Sequence, residues 1–309
     1  MDKKSVAIGI IIILAIFGVI FASLVGYYLV NPILPIEGST VNQIALLEED
    51  YLNNEDLFII KYNSFFGSNY STQGQVSNGQ AAIQESKTYL ASMRTKSNEI
   101  VTMAQEDFRD PSLRENKWFR LVNECYGFQT ERSEVLGIVL DNYETFLNLQ
   151  EDMLTLDTYY VEISNELENL SVAELTNDSN SIQILGNIID ETEQIKTITT
   201  RLKDTDGFTS FGMLEEWANE YITYLEKLQT TLTLPHSQQE AKIREILPES
   251  IPIGQLSQAA FDKFDEEIND FFEDNIRQKD ISAATLLTKA NQKCESAKIE
   301  FNLLFPQAE

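Results

Sequence analysis

Two hydrophobic patterns divide this chain. The first is unbroken, since Val6 to Val30 carries no charged side chain over 25 residues. As a helix that run measures about 37 Å at 1.5 Å per residue, enough to cross a ~30 Å hydrocarbon core with some tilt. The second pattern is periodic. After the run, apolar residues recur at steps of three, four and seven, the signature of helices with one buried face.

The periodic part resolves into successive helices. Ile83, Leu90, Met93, Ser97, Ile100, Ala104 and Phe108 mark a helix ending near Asp110. Leu136, Val139, Tyr143, Phe146, Met153, Tyr160, Ile163, Leu167 and Leu170 mark a longer one, of the kind found in bundles and coiled coils. Leu185, Ile188, Ile195 and Leu202 mark the next, and Leu214, Trp217, Tyr221, Tyr224, Leu228 and Leu232 another. Phe261, Phe264, Ile268 and Phe271 mark a very acidic one, and Leu287, Ala290, Cys294, Ala297, Phe301 and Leu304 the last. Thr40-x-x-Gln43, Ser112-x-x-Glu115, Ser171-x-x-Glu174 and Ser237-x-x-Glu240 fit the capping box, which satisfies orphan N–H groups at a helix start. Breaks are expected at Gly67–Gly79, Asn177–Asn180, Asp204–Gly212 and the proline-containing stretch Pro235–Gly254. No sustained period-two run bounded by hairpin turns is present. The expected fold is all-α: a single transmembrane helix, then an elongated, coiled-coil-like helical bundle.

The apolar run reads as an uncleaved signal anchor. It exceeds the h-region of a cleaved signal peptide, and no A-x-A-like triplet follows it. Lys3 and Lys4 abut its start, whereas Lys61 is the first positive charge beyond it, after Glu37, Glu48, Glu49 and Asp50. Positive charges stay on the cytoplasmic side, so the N-terminus is expected inside and the body outside. Tyr27 and Tyr28 suit an outer aromatic belt, and Asn31, Pro32 and Pro35 end the helix. Residues 1–36 thus form a cytoplasmic stub with its membrane anchor. Residues 37–309 form the ectodomain, with a subdivision near 171–181 and a break at 235–254.

Charge then narrows the partners. The net charge is −26, and removing Met1–Lys4, with one Asp and two Lys, leaves −27. A surface this acidic repels nucleic acid and anionic headgroups. Cys125 and Cys294 are the only cysteines. Outside the cytoplasm they allow one disulfide, while their places on apolar stripes equally suit two buried thiols. Asn69, Asn169 and Asn177 each begin an N-x-Ser glycosylation pattern, with Asn69 and Asn177 in expected loops.

Candidates for chemistry are few. His236 is the only histidine, in an expected loop, which excludes paired Glu-x-x-His di-iron motifs and Cys/His zinc sites. A Ser–His–Asp set would also depend on this one residue. Asp204, Asp206 and Glu215 fall at positions 1, 3 and 12 of a calcium-loop pattern, but Phe208 and Thr209 stand where a ligand and a glycine belong. Asp262, Asp265, Glu266, Glu267, Asp270, Glu273 and Asp274 form the densest acidic run and read as a solvated helix face. No Gly-rich phosphate loop follows a strand. The sequence therefore points to a membrane-anchored structural or interaction module without a cofactor. Its partners would be the bilayer and either an envelope protein or a second copy, and not nucleic acid. The alternative is a sensory or solute-binding ectodomain acting through another protein. An enzyme is the least supported reading.

Overall fold

The computed structural model describes residues 40–68, 70–108, 116–172 and 179–304. The run Val6–Val30 lies outside them, as do Asn69, Asn177 and the Ser112-x-x-Glu115 box. Among the described residues no helix is long and apolar enough to cross a membrane. These residues are predominantly helical and contain no strand.

The helices, in chain order, are α1 (Thr40–Phe65), α2 (Gln73–Phe108), α3 (Asn116–Val172), α4 (Ser179–Leu202), α5 (Ser210–Leu232), α6 (His236–Ile246), α7 (Ser250–Phe271) and α8 (Gln278–Leu304). A π-helical segment, Phe272–Arg277, joins α7 to α8. The chain divides into two compact units. Of the described residues, the first comprises those up to Leu147 and those from Asp274 on, the second those of Asn148–Glu273. The first unit is therefore discontinuous, with the second inserted between its third and fourth helices. The expected breaks at 171–181 and 235–254 both lie within the second unit's range.

Each stripe is the buried face of its helix. In the first unit the buried residues are Tyr51, Phe58, Tyr62 and Phe65 of α1, Ile83, Leu90, Met93 and Ile100 of α2, Leu136, Val139, Leu140 and Tyr143 of α3, and Ala283, Leu287, Ala290 and Ala297 of α8. In the second unit one cluster holds Leu156 and Ile163 of α3, Leu185, Ile188 and Ile195 of α4, Leu214, Trp217 and Leu228 of α5, and Ile253 and Phe264 of α7. Burying a large side chain contributes about 1.5–3 kcal/mol. Leu167 departs from its stripe and is exposed, while Leu140, off the stripe, is fully buried.

The expected breaks shrink in the structure. Between Gly67 and Gly79 the described residues outside a helix are 67, 68 and 70–72. Gly67, at φ +79°, ends α1 in the left-handed conformation that glycine adopts without strain. The Tyr70 and Tyr143 hydroxyls donate to the Phe65 carbonyl at 2.6 and 3.2 Å, completing that end. Gly79 lies within α2, where a Cβ would sit 2.6 Å from Tyr70 Cε1 and 2.9 Å from Leu147 Cδ1, so the close packing there needs glycine. Pro235–Gly254 is largely helical. Pro235 precedes α6, Pro248 opens a 3-10 turn, and Pro252 falls in the first turn of α7, where a missing N–H breaks no helix bond.

Two capping boxes are not made. At α6 the cap position is Pro235, without a side-chain bond, so Ser237 is already inside the helix. Ser171 belongs to the last turn of α3 and not to a helix start.

Candidate functional site

The stripes of the first unit contain polar residues at core positions. On α1, Glu55 falls in step with Tyr51, Phe58 and Tyr62; on α3, Gln129 and Arg132 with Cys125 and Leu136; on α8, Asp280 with Ala283 and Leu287. All four polar residues are buried. Helical spacing thus carries charge into the bundle, where each group needs a partner.

Those partners come from neighbouring helices. Arg132 Nη1 donates to Glu55 Oε1 and, at 3.2 Å, to Gln129 Oε1. The Tyr51 hydroxyl donates to the same Gln129 oxygen at 3.0 Å. Across the bundle, the Tyr62 hydroxyl donates to Asp280 Oδ1 at 2.8 Å. A cavity of about 20 Å³, room for one water, is lined by the polar Tyr62, Asn63, Arg132 and Asp280 and by the apolar Phe58 and Leu136 among others. Burial pushes Asp280 above the usual aspartate value, against the Tyr62 hydrogen bond and the Arg132 charge that favour its ionised form. Burial likewise pushes Glu48, which faces the Tyr126 hydroxyl, up to about 7.

Cys125 and Cys294 are joined in a disulfide that ties α3 to α8, with Cα atoms 5.1 Å apart. Of the two states open from sequence, the structure takes the oxidised one. Tyr126, beside Cys125 in sequence, packs edge-on against Tyr51 at 5.6 Å.

The second unit treats its buried carboxylate differently. Glu267 of α7 accepts from the Thr209 amide and hydroxyl, at 2.9 and 2.5 Å, through Oε1. Through Oε2 it accepts from the Ser210 amide and hydroxyl, at 3.1 and 2.6 Å. It thereby caps the start of α5, where a carboxylate satisfies orphan N–H groups and meets the positive end of the helix dipole. Burial works against the charged form, but the four donors outweigh it and hold Glu267 below the usual glutamate value.

Asp204, Asp206 and Glu215, whose calcium-loop pattern is broken at Phe208 and Thr209, border the α4–α5 turn. Glu215 accepts from Thr200 Oγ1 at 2.7 Å and pairs with Lys203 Nζ at 3.3 Å, so its carboxylate braces the α4–α5 turn. Among the described residues no group of three or more His, Cys, Asp or Glu is placed to hold a metal ion. The acidic run from Asp262 is solvated at Asp262, Asp265, Glu266, Asp270 and Asp274, whereas Glu267 is buried. His236 is exposed and opens α6 rather than lying in a loop; its Nδ1 sits 3.2 Å from Gln239 Oε1. Gln239 Nε2 donates to the Leu232 and Leu234 carbonyls at 2.9 and 2.8 Å, so this contact serves the end of α5. Asn169 is exposed near the end of α3.

The Leu214–Leu232 stripe is core. Leu214, Trp217, Leu228 and Leu232 are buried, and Trp217 stacks between Tyr160 and Tyr221 at 5.0 and 5.3 Å. An open groove of about 770 Å³ runs between α1 and α2, edged by Leu46, Leu47 and Met103 and by the polar Gln43, Asn98 and Glu99. The buried polar network was missed from sequence, although charged residues in step with an apolar stripe were its visible signal. Comparison of the chain with family models, curated proteins and solved structures gives no match.

Proposed function

We propose that this protein is a membrane-anchored, extracytoplasmic helical module that acts by holding or presenting a protein surface, not by catalysis. The observation that carries the reading is the charge-free run Val6–Val30 behind Lys3 and Lys4, with acidic residues first on its far side. The Cys125–Cys294 disulfide supports the orientation, because such bonds persist in oxidising compartments. The net charge favours a basic or neutral partner, either an envelope protein or a second copy, and disfavours nucleic acid.

The internal polar groups support a structural role. Glu55, Arg132 and Gln129 are engaged with one another, and the cavity beside them holds about 20 Å³. A small-molecule site has roughly 300 Å³ or more, so the interior of this network is too small for a solute, and the 770 Å³ groove between α1 and α2 is open rather than enclosed. Protease added to right-side-out membrane vesicles tests the orientation. Digestion of residues beyond Asn31 is expected; digestion only after lysis overturns it. Cross-linking in intact cells, followed by identification of the neighbours, tests the interaction role, and a protein without specific neighbours would sink it.

A further inference from the structure

Asp280 is the unbalanced member of the buried network. Two carboxyl groups, Glu55 from α1 and Asp280 from α8, face a single guanidinium, Arg132 from α3. Arg132 forms its ion pair with Glu55. Asp280 has no ion pair among the described residues, and its bonded neighbour is the neutral Tyr62 hydroxyl. The remaining walls of its cavity are Phe58, Ile59, Asn63, Leu136, Ala283 and Ala284, none of them charged. An ionised Asp280 would leave one net negative charge in a space with room for a single water, and a buried unpaired carboxylate costs several kcal/mol. Protonation removes that charge and keeps the oxygen that Tyr62 reaches.

We propose that Asp280 is a proton-binding site, and that proton uptake there seats α8 against α1 and α3. Proton loss replaces a neutral acid with a carboxylate that only solvent or Arg132 can satisfy. Arg132 is held by Glu55, so the demand falls on water and on the packing around Ala283 and Ala284. The first unit then loosens along α8. The direction of the linkage is fixed: a buried acid that holds its proton more tightly when folded stabilises the fold at low pH, and that contribution is lost as pH rises through its folded value. Burial at Asp280 acts in this direction.

The chain supplies its own reporter. Trp118 is buried in the first unit and packs 5.8 Å from Phe301 of α8. The full chain in lipid nanodiscs, carrying Trp217→Phe, would be unfolded in urea between about pH 4 and pH 8 with Trp118 emission as the readout. The parent should lose stability as pH rises. Asp280→Asn should flatten the profile by one proton, a difference of up to about tenfold in the unfolding constant per pH unit. Tyr62→Phe removes a donor that favours the carboxylate, so it should move the transition to higher pH. A purely structural role for Asp280 would lower stability equally at every pH. Matching slopes in parent and Asp280→Asn, or no movement in Tyr62→Phe, overturn the proposal. A measurement needing no variant guards against misfolding. Infrared spectra with carbon-13 confined to aspartate side chains should show a protonated carbonyl persisting above the ordinary aspartate range; if every aspartate ionises normally, the site does not exist.

Discussion

The two units bury carboxylates in opposite ways. In the first, Asp280 and Glu48 meet hydroxyls and low-dielectric surroundings, and burial drives both toward the protonated form. In the second, Glu267 meets two amides and two hydroxyls at the start of α5, and those donors hold it ionised. Burial alone therefore does not set the charge of an internal acid; the number of donors aimed at it does. The cores differ in the same sense. The first unit has a polar thread through Tyr51, Gln129, Arg132 and Glu55, fastened by a disulfide. The second is filled by aromatic and aliphatic contacts around Phe208, Phe211, Trp217 and Phe264.

Each unit holds one of the two tryptophans, Trp118 in the first and Trp217 in the second, so the contrast can be attacked by urea unfolding with separate emission readouts. The largest effect is expected from Arg132→Met. It strands Glu55 in the core and should cost about 3–5 kcal/mol on the Trp118 transition, while the Glu55→Leu/Arg132→Met pair should recover most of that. An equal cost in both would mean that the thread acts through shape and not charge. In the second unit Trp217→Ala should cost about 3–5 kcal/mol through lost burial and a residual cavity, measured by ellipticity because the reporter is gone. Replacing Cys125 and Cys294 with alanine opens a closure of sequence separation 169 and should cost about 2–5 kcal/mol on the Trp118 transition.

Acidity sharpens the contrast further. Glu48, raised from 4.5 to about 7, contributes stability that is full below about 4.5 and lost as pH climbs toward 7. Glu267, lowered, contributes stability that is present above the ordinary glutamate value and lost as pH falls through its folded value. On acidification the Trp118 midpoint should therefore rise while the Trp217 midpoint falls. Parallel movement would erase the distinction. Glu267→Ala should remove about 1–2 kcal/mol of the second unit's stability at neutral pH, as the loss of a helix cap does. The smallest effect belongs to Glu216→Ala, exposed beside Trp217, which should stay within about 0.5 kcal/mol of the parent.

Spacing within one helix made much of this architecture legible. Leu214, Trp217, Leu228 and Leu232 report a buried face because residues three, four and seven apart share a side. Partnerships between helices are not written that way. Glu55 and Arg132 lie 77 residues apart, so no local rule links them, although each sits in step with apolar neighbours. Glu267 was hidden by the acidic residues around it, yet it continues the series Ala260, Phe264 and Phe271. Pro235–Gly254 misled for a simpler reason: prolines in first turns look like breaks but open helices. Asp204, Asp206 and Glu215 had calcium-loop spacing, but Lys203 and Thr200 stood within reach of Glu215 and claimed it.

The discontinuity of the first unit sets an order of events during translation. The ribosome makes α1, α2 and the start of α3, then all of Asn148–Glu273, before it reaches α8. Glu55 and Arg132 can already meet, but Asp280 and Cys294 have not been made. During that interval the Cys125 thiol has no mate within its own chain. A nascent chain stalled before Gln278 would contain the whole sequence of the second unit and only three helices of the first. Its single thiol, Cys125, would then be open to exchange with another molecule's disulfide.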